Sequence, residues 1–229
     1  MGPLRAGFRS TLPGVDALAL VEIAAHAWRP AAEFGLLLED PVFWGWGVPR
    51  GDGHAVLVLP GLFAGDRYLQ PLRGWLGRVG YRPILSGLAR NPGWSESLVR
   101  ELGELAERES RRTGRPVTII GHSMGGVMAR SIALRRPHTT RHVITLGSPL
   151  SMTRGRLPDG VRLTAIYSRS DPIVRYPHAV ARDAAARNIE VRGSHSGLAG
   201  NPEVYRQLAH LLPGDGPAPP VTAFRTRSR

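Results

Sequence analysis

The stretch TIIGHSMGGVMAR, residues 118–130, places a serine between glycines directly after an apolar run that ends in two isoleucines. The apolar run predicts a buried strand, and the residues after the serine predict a helix. In a Gly-x-Ser-x-Gly pattern, Gly121 and Gly125 allow a tight strand-to-helix turn, because side chains there would collide with neighbouring elements. Such a turn lifts the Ser123 hydroxyl out of the sheet and aims the helix N-terminus at the same point. An ordinary glycine-rich turn also matches these five positions by chance, so the pattern alone leaves both interpretations open.

The rest of the chain alternates apolar runs with amphipathic segments. The apolar runs predict strands within residues 54–61, 82–88, 116–122, 142–149, 163–171 and 188–193. The amphipathic segments predict helices within residues 67–80, 94–113, 124–136, 180–187 and 202–212. Because strands covered by helices on both faces are typical of parallel sheets, we expect an α/β fold with one mostly parallel sheet flanked by helices.

This pattern divides the chain into three predicted parts. Residues 54–212 form the α/β core, and residues 213–229, rich in proline and glycine, form a flexible C-terminal tail. Residues 1–53 form a helical segment that packs on or over the core, with one or two helices from Asp16 to Glu39 and a break around Pro30. The aromatic cluster FWGWG, residues 43–47, either packs this segment onto the core, or lines a binding pocket or contacts lipid.

The chain carries a formal net charge of +12, and all of its basic side chains other than histidine are arginines. Because the arginines are spread along the chain, we interpret the charge as a solvated basic surface, with a preference for anionic substrates or membrane surfaces as the alternative. A nucleic-acid-binding protein would bind with an affinity that falls steeply with salt. The sequence has no recognition motif for nucleic acid, so we do not expect nucleic acid as a partner.

The N-terminus and the cysteine count bear on location. There is no cysteine, which excludes disulfides and thiolate zinc sites. Arg5 and Arg9 precede an apolar stretch that ends like a signal-peptide cleavage site, but Asp16 and Glu22 interrupt it. We therefore expect a cytoplasmic protein, while secretion stays open.

The serine needs two partners to react. A hydroxyl becomes a good nucleophile when a histidine takes its proton and a carboxylate holds that histidine in the right tautomer. In a parallel sheet these partners follow later strands, and Asp171 and His195 each come directly after an apolar run. Asp159 and Asp183 are alternatives for the acid, but the first lies in a Pro-Gly turn and the second in a helical pattern.

Four motifs together resemble those of the α/β hydrolases, and in particular of bacterial lipases and esterases. They are GHSMGG at residues 121–126, LGSP at 146–149, YSRSDPIV at 167–174 and GSHSGL at 193–198. The resemblance covers about residues 55–212 and implies an α/β-hydrolase fold. It also implies that Ser123 is the nucleophile, His195 the general base and then acid, and Asp171 the carboxylate that orients His195.

The same resemblance implies an oxyanion hole made by the backbone N–H groups of Leu62 and Met124. Pro60 departs from the family pattern, since many lipases have histidine at that position. His122, next to the serine, is expected to be a structural histidine whose side chain points the opposite way. His142 is expected on the surface or in a helix.

Apolar residues next to the predicted catalytic loops suggest an acyl substrate. The predicted substrate-binding residues are Phe63, Leu150, Ile173, Val174 and Leu198. Only a short loop separates Pro149 from the strand that begins near Leu163, so we expect a small or absent cap over the serine.

We therefore expect a serine carboxylester hydrolase, an esterase or lipase, that acts through an acyl-enzyme and requires no metal or organic cofactor. Its expected substrate is a small-molecule acyl ester or a lipid, with transient contact to a membrane or lipid interface. Thioesterase and amidase activity remain alternatives, because the same machinery serves all three reactions. A non-catalytic hydrolase-fold protein that binds a ligand is the alternative from a different class.

Overall fold

The computed structural model describes residues 28–213. The predicted helix start at Asp16, the signal-like stretch and the predicted tail from residue 214 onward lie outside this range.

One sheet of six parallel strands forms the centre of the fold, in the order β2-β1-β3-β4-β5-β6. The strands are β1 Ala55–Leu59, β2 Arg82–Leu85, β3 Val117–His122, β4 Thr140–Leu146, β5 Arg162–Tyr167 and β6 Arg187–Glu190. The strand order reverses between β1 and β3, and this reversal opens a crevice at the carboxyl edge of the sheet. The loops after β1 and β3 border that crevice.

Helices cover both faces of the sheet. They are α1 Arg29–Glu39, α2 Gln70–Arg78, α3 Glu96–Thr113, α4 Met124–Arg135, α5 Tyr176–Ala179 and α6 Pro202–Leu211. Alternate residues of β1 enter different cores: Val56 and Val58 pack in the core that includes residues of α1, α2 and α6, while Leu57 packs with residues of α3 and α4. The predicted mostly parallel α/β architecture is confirmed, because all six strands are parallel and helices cover both faces of the sheet.

The N-terminal part of the described chain is attached to the core by aromatic contacts. Phe43 is buried, and its ring centroid lies 6.4 Å from that of Phe34 and 6.1 Å from that of Tyr205 on α6. The indole of Trp75 donates a hydrogen bond to the Val42 carbonyl at 2.8 Å. Pro30 lies in the first turn of α1, where its missing N–H costs nothing, instead of breaking a helix.

The helix predicted within residues 180–187 is wrong. The structure has only the short helix α5 before this segment, followed by a loop that leads into β6. The side chain of Asn188 bonds both the N–H and the C=O of Ala181, at 2.9 and 3.0 Å. The Asp183 carboxylate accepts a hydrogen bond from Arg130. These side-chain contacts hold the segment as a loop.

Arg130 of α4 ties two loops together. Its guanidinium group lies 2.8 Å from the Asp183 carboxylate, and it also donates to Thr153 Oγ1 at 2.9 Å and to the Gly155 carbonyl at 2.6 Å. Thr153 and Gly155 belong to the loop between β4 and β5, the position expected for a small or absent cap. This loop contains one short 3₁₀ turn, Leu150–Met152, and its path is held by the buried arginine.

No helix in the described part of the chain combines the length and the hydrophobicity needed to cross a membrane.

Two histidines are buried in or next to strands of the sheet. His54 Nε2 lies 3.2 Å from Thr118 Oγ1, and His142 Nε2 lies 2.9 Å from Thr164 Oγ1. The expectation that His142 lies on the surface or in a helix is wrong, since it occupies the buried strand β4. Burial and nearby arginines lower the pKa of His54 to about 4 and that of His142 to about 3.

Replacing Arg130 with alanine is expected to destabilise the fold by about 3 kcal/mol, because the largely buried Asp183 carboxylate loses its charged partner and keeps, among the described residues, only the Leu157 N–H. The free energy of unfolding in urea measures this effect. Arg156→Ala is the matched control, since the Arg156–Asp159 pair is exposed and such pairs contribute less than about 1 kcal/mol. Equal, small losses in the two variants would contradict the structural role of Arg130.

The free energy of unfolding is expected to fall as the pH is lowered from 7 to 5. Below pH 6.5 the unfolded chain binds protons at His54 and His142, whereas their lowered pKa values keep both neutral in the folded protein. At pH 5, His142 alone accounts for a loss of roughly 2 kcal/mol. Unfolding in urea at several pH values checks this, and His142→Gln should show a shallower dependence than the wild type.

Candidate active site

The turn between β3 and α4 holds Ser123 in an uncommon backbone conformation. Its φ is +52°, and within residues 28–213 only Phe63 shares a positive φ among residues other than glycine. A Cβ on Gly121 would lie 2.4 Å from the Gly125 carbonyl carbon, and a Cβ on Gly125 would lie 2.2 Å from the Leu59 carbonyl oxygen. Both glycines are therefore required by close backbone contact, as the sequence pattern predicts. The strained serine stands at the N-terminus of α4 and is partly exposed.

The three residues predicted to form a catalytic triad lie together at the carboxyl edge of the sheet. His195 Nε2 lies 3.0 Å from Ser123 Oγ, and His195 Nδ1 lies 2.7 Å from Asp171 Oδ2. The other oxygen of Asp171 accepts hydrogen bonds from the backbone N–H groups of Ile173 and Val174, at 2.8 and 2.9 Å. These three residues come from the loops after β3, β5 and β6.

This geometry assigns the tautomer of His195. An ionised carboxylate only accepts hydrogen bonds, so the proton lies on Nδ1, facing Asp171. Nε2 is then free to accept the Ser123 hydroxyl proton. Asp159 and Asp183, the alternative acids, instead pair with Arg156 and Arg130.

The loop after β1 lies against the serine. A Cβ on Gly61 would be 3.1 Å from Ser123 Cβ, so the backbone just before Leu62 lies directly against Ser123. Within residues 28–213, the N–H groups of Leu62 and Met124 have no hydrogen-bond acceptor. Met124 is also the first residue of α4, where backbone N–H groups point out of the helix. The two N–H groups that the resemblance implies as an oxyanion hole thus belong to segments beside Ser123, and no atom of residues 28–213 accepts a hydrogen bond from them.

Asn91 holds the loop after β1. The sequence did not indicate this role. This residue is fully buried, and its side-chain amide donates to the Pro60 carbonyl at 2.8 Å. Its backbone N–H donates to the Ala64 carbonyl at 2.7 Å, and its carbonyl accepts from the Phe63 N–H at 2.8 Å. These three bonds fix the loop that presents the Leu62 N–H. An asparagine before a proline is an ordinary turn signal, so no local pattern distinguished it.

His122 contacts the loop that carries His195, contrary to the expectation that its side chain points the opposite way. Its Nε2 donates a hydrogen bond to the His195 carbonyl at 2.9 Å, and the two ring centroids are 5.0 Å apart. Burial, with a smaller electrostatic contribution from the neighbouring His195 ring, lowers the pKa of His122 to about 3. His122 therefore stays neutral at ordinary pH and acts as a fixed donor.

Comparisons with known proteins agree with this architecture. A family model described as a PGAP1-like alpha/beta domain matches residues 90–201, a range that includes Ser123, Asp171 and His195. A protein from Xanthomonas campestris pv. campestris, described as a hydrolase of the alpha/beta superfamily, is 20% identical with a TM-score of 0.52, over 70% of this chain and 98% of its own. The chain has the α/β-hydrolase fold.

Two lipases share this α/β-hydrolase fold. A monoacylglycerol lipase from Paleococcus ferrophilus is 12% identical with a TM-score of 0.53, over 72% of this chain and 96% of the lipase. Lipase B from Aspergillus fumigatus is 15% identical with a TM-score of 0.59, over 74% of this chain and 55% of the lipase. At these identities the likeness establishes the fold. No curated protein sequence matches the chain.

The five predicted substrate-binding residues of this α/β-hydrolase fold occupy different environments. Phe63 is 62% exposed, and the Arg90 guanidinium lies 4.8 Å from the centre of its ring. Ile173 is half-buried, whereas Leu150 and Val174 are buried. Leu198 is fully buried in the core and has no surface that a substrate can reach, which contradicts its predicted role as a contact residue. Phe63 and Ile173 remain the accessible members of this set.

An open cavity of about 500 Å³ lies against the loop that carries Asp171. Its lining is mixed and includes three arginines, a tyrosine and two prolines: Arg29, Arg169, Arg175, Tyr176, Pro172 and Pro177. None of the five predicted substrate-binding residues lines this cavity. Within residues 28–213, no three histidine or acidic side chains lie close enough together to hold a metal ion.

Gly125→Ala is expected to destabilise the protein by about 1–3 kcal/mol or more, because the new Cβ meets backbone atoms of Leu59 and Pro60 that cannot rotate away. Gly74→Ala in α2 is the matched control. A Cβ there meets nothing within 4 Å, so the better helix propensity of alanine should stabilise the protein by up to about 1 kcal/mol. Denaturant unfolding compares the two, and equal stability of both variants would argue against the tight turn.

Proposed function

We propose that the protein is a serine carboxylester hydrolase of the esterase or lipase type, acting on small-molecule acyl esters or lipids. The observation that carries this proposal is the unbroken hydrogen-bonded series from Ser123 through His195 to Asp171. The fold supports hydrolase activity, since the structures that share it include lipases and a thioesterase domain. Fold likeness alone does not decide the reaction, so the weight rests on the triad geometry.

In the first half of the proposed reaction, Ser123 Oγ attacks the carbonyl carbon of the ester while His195 Nε2 takes its proton. The carbonyl electron pair moves onto oxygen, and the N–H groups of Leu62 and Met124 donate hydrogen bonds to the oxyanion. Asp171 stabilises the imidazolium that forms on His195. When the tetrahedral intermediate collapses, the bond to the alcohol oxygen breaks, and His195 gives its proton to the leaving alcohol.

In the second half, water replaces the alcohol. His195 Nε2 takes a proton from water as the hydroxide attacks the acyl carbon of the Ser123 ester. The same two N–H groups hold the second oxyanion. Collapse releases the carboxylic acid, and the proton returns from His195 to Ser123 Oγ, which restores the starting enzyme.

The surroundings of the serine support an apolar acyl substrate. Three exposed apolar side chains belong to loops that follow different strands at the carboxyl edge: Phe63 after β1, Trp94 after β2 and Met152 after β4, exposed by 62%, 44% and 44%. The loop after β4 forms no helical cap over this edge. An open, partly apolar site suits an acyl ester, and transient contact with a lipid surface is part of the proposal.

Ser123→Ala is expected to lower kcat/KM for p-nitrophenyl esters by roughly three orders of magnitude or more, because it removes the nucleophile. Initial rates on a series from acetate to palmitate measure this loss, and the preferred chain length separates esterase from lipase. Ser151→Ala, a change in an exposed serine of the neighbouring β4–β5 loop, should leave the rates unchanged.

A fluorophosphonate probe distinguishes the alternatives. Labelling of wild-type Ser123 without cleavage of any ester would direct attention to thioesters or amides, which use the same acyl-transfer steps. A folded wild type that neither reacts with the probe nor turns over an ester would contradict the proposal and favour a non-catalytic ligand-binding protein.

A further inference from the structure

The loop that carries His195 is held from outside by three side chains, one for each of three consecutive residues. The Ser194 N–H donates to Glu33 Oε1 at 2.8 Å. The His195 carbonyl accepts from His122 Nε2 at 2.9 Å, and the Ser196 carbonyl accepts from the Tyr68 hydroxyl at 2.6 Å. Glu33, Tyr68 and His122 come from α1, the segment before α2 and the end of β3. The histidine loop is therefore fastened to three separate elements.

Glu33 is the most distant of these in sequence, 161 residues from Ser194. Its carboxylate fits closely against the loop, since a Cβ on Gly197 would lie 2.1 Å from Glu33 Oε2 and a Cβ on Gly193 would lie 3.0 Å from it. The same oxygen lies 3.4 Å from Asn201 Nδ2. Within residues 28–213, Glu33 forms no ion pair, so its hydrogen bonds are directed to the His195 loop and the residue that caps α6.

The charge of Glu33 also acts on Tyr68. Burial and the Glu33 carboxylate raise the pKa of Tyr68 above its ordinary value. The phenol carries the proton that it donates to the Ser196 carbonyl, as tyrosine does at neutral pH. Glu33 supports the loop through its own bond at Ser194, and Tyr68 supports it two residues later.

We propose that Glu33 is a positioning residue for His195, so that α1 is part of the machinery of the reaction and not a cover over the site. The inference rests on the proposed function. Triad chemistry depends on the 3.0 Å separation of His195 Nε2 and Ser123 Oγ, and displacements of about 1 Å cost up to roughly 100-fold in rate. The residues between β6 and His195 form no regular element, so side-chain contacts must supply the rigidity.

The test compares three single variants by ester hydrolysis. Glu33→Ala is expected to lower kcat by about 10- to 100-fold with little change in KM, because Glu33 bonds the His195 loop and acts through the position of His195. Glu33→Gln keeps an oxygen that accepts from Ser194, so it should recover most of the rate. Glu39→Ala is the matched control: this exposed glutamate lies on the same helix, and its carboxylate has no hydrogen-bond partner within the described residues. Its kcat should equal that of the wild type.

Hydrogen–deuterium exchange provides a readout that does not depend on turnover. Peptides that contain Ser194 should exchange faster in Glu33→Ala than in the wild type or Glu39→Ala, because the amide loses its acceptor. If Glu33→Ala proves too unstable to assay, Tyr68→Phe removes the neighbouring hydrogen bond to Ser196 and should lower kcat in the same way.

Wild-type kcat together with unchanged exchange in Glu33→Ala would overturn the inference. A loss of kcat that Glu33→Gln does not recover would also count against it, since the retained acceptor should matter. Absence of ester cleavage in the wild type would instead remove the proposed function, and the exchange data would then decide on their own whether Glu33 holds the loop.

Discussion

The contact between the Gly125 backbone and the Leu59 carbonyl oxygen is the constraint on which the site depends. Because no side chain separates them, the start of α4 lies directly against the end of β1. This proximity forces the abrupt turn after β3, and Ser123 takes a positive φ as a result. It also brings the loop after β1 against the serine. One backbone contact between α4 and β1 thus places the proposed nucleophile and both proposed oxyanion donors in the same crevice.

Around this crevice, buried and half-buried polar side chains fix loops that lack regular structure. Asn91 holds the loop after β1, Glu33 and His122 hold the loop of His195, and Arg130 holds the loop after β4. Each hydrogen bond contributes only about 1 kcal/mol to net stability. Their larger effect is geometric, because loops are the mobile part of a fold and catalysis needs fixed distances. The hydrophobic cores stabilise the sheet, while these polar contacts determine the shape of its functional edge.

The sequence predicts the sheet, its helices and the grouping of Ser123, Asp171 and His195, because each depends on local patterns and on residues that directly follow strands. It does not reveal Glu33 or Asn91, whose partners lie far away along the chain or on a different loop. The error within residues 180–187 has the same origin, since helical periodicity could not disclose the pairing of Asp183 with Arg130. Leu198 was adjacent to the site in sequence, yet its side chain faces the core.

The attachment of α1 to the rest of the fold also affects the order of folding and of thermal unfolding. Glu33 meets Ser194 and Asp40 meets Arg206, contacts that span 161 and 166 residues. Closing such long loops carries a large entropic cost, so these contacts are expected to form after the central sheet. They are also expected to open first, through partial unfolding that leaves the sheet intact. Heating would then release the histidine loop while most of the backbone remains folded, and thermal inactivation would precede thermal melting.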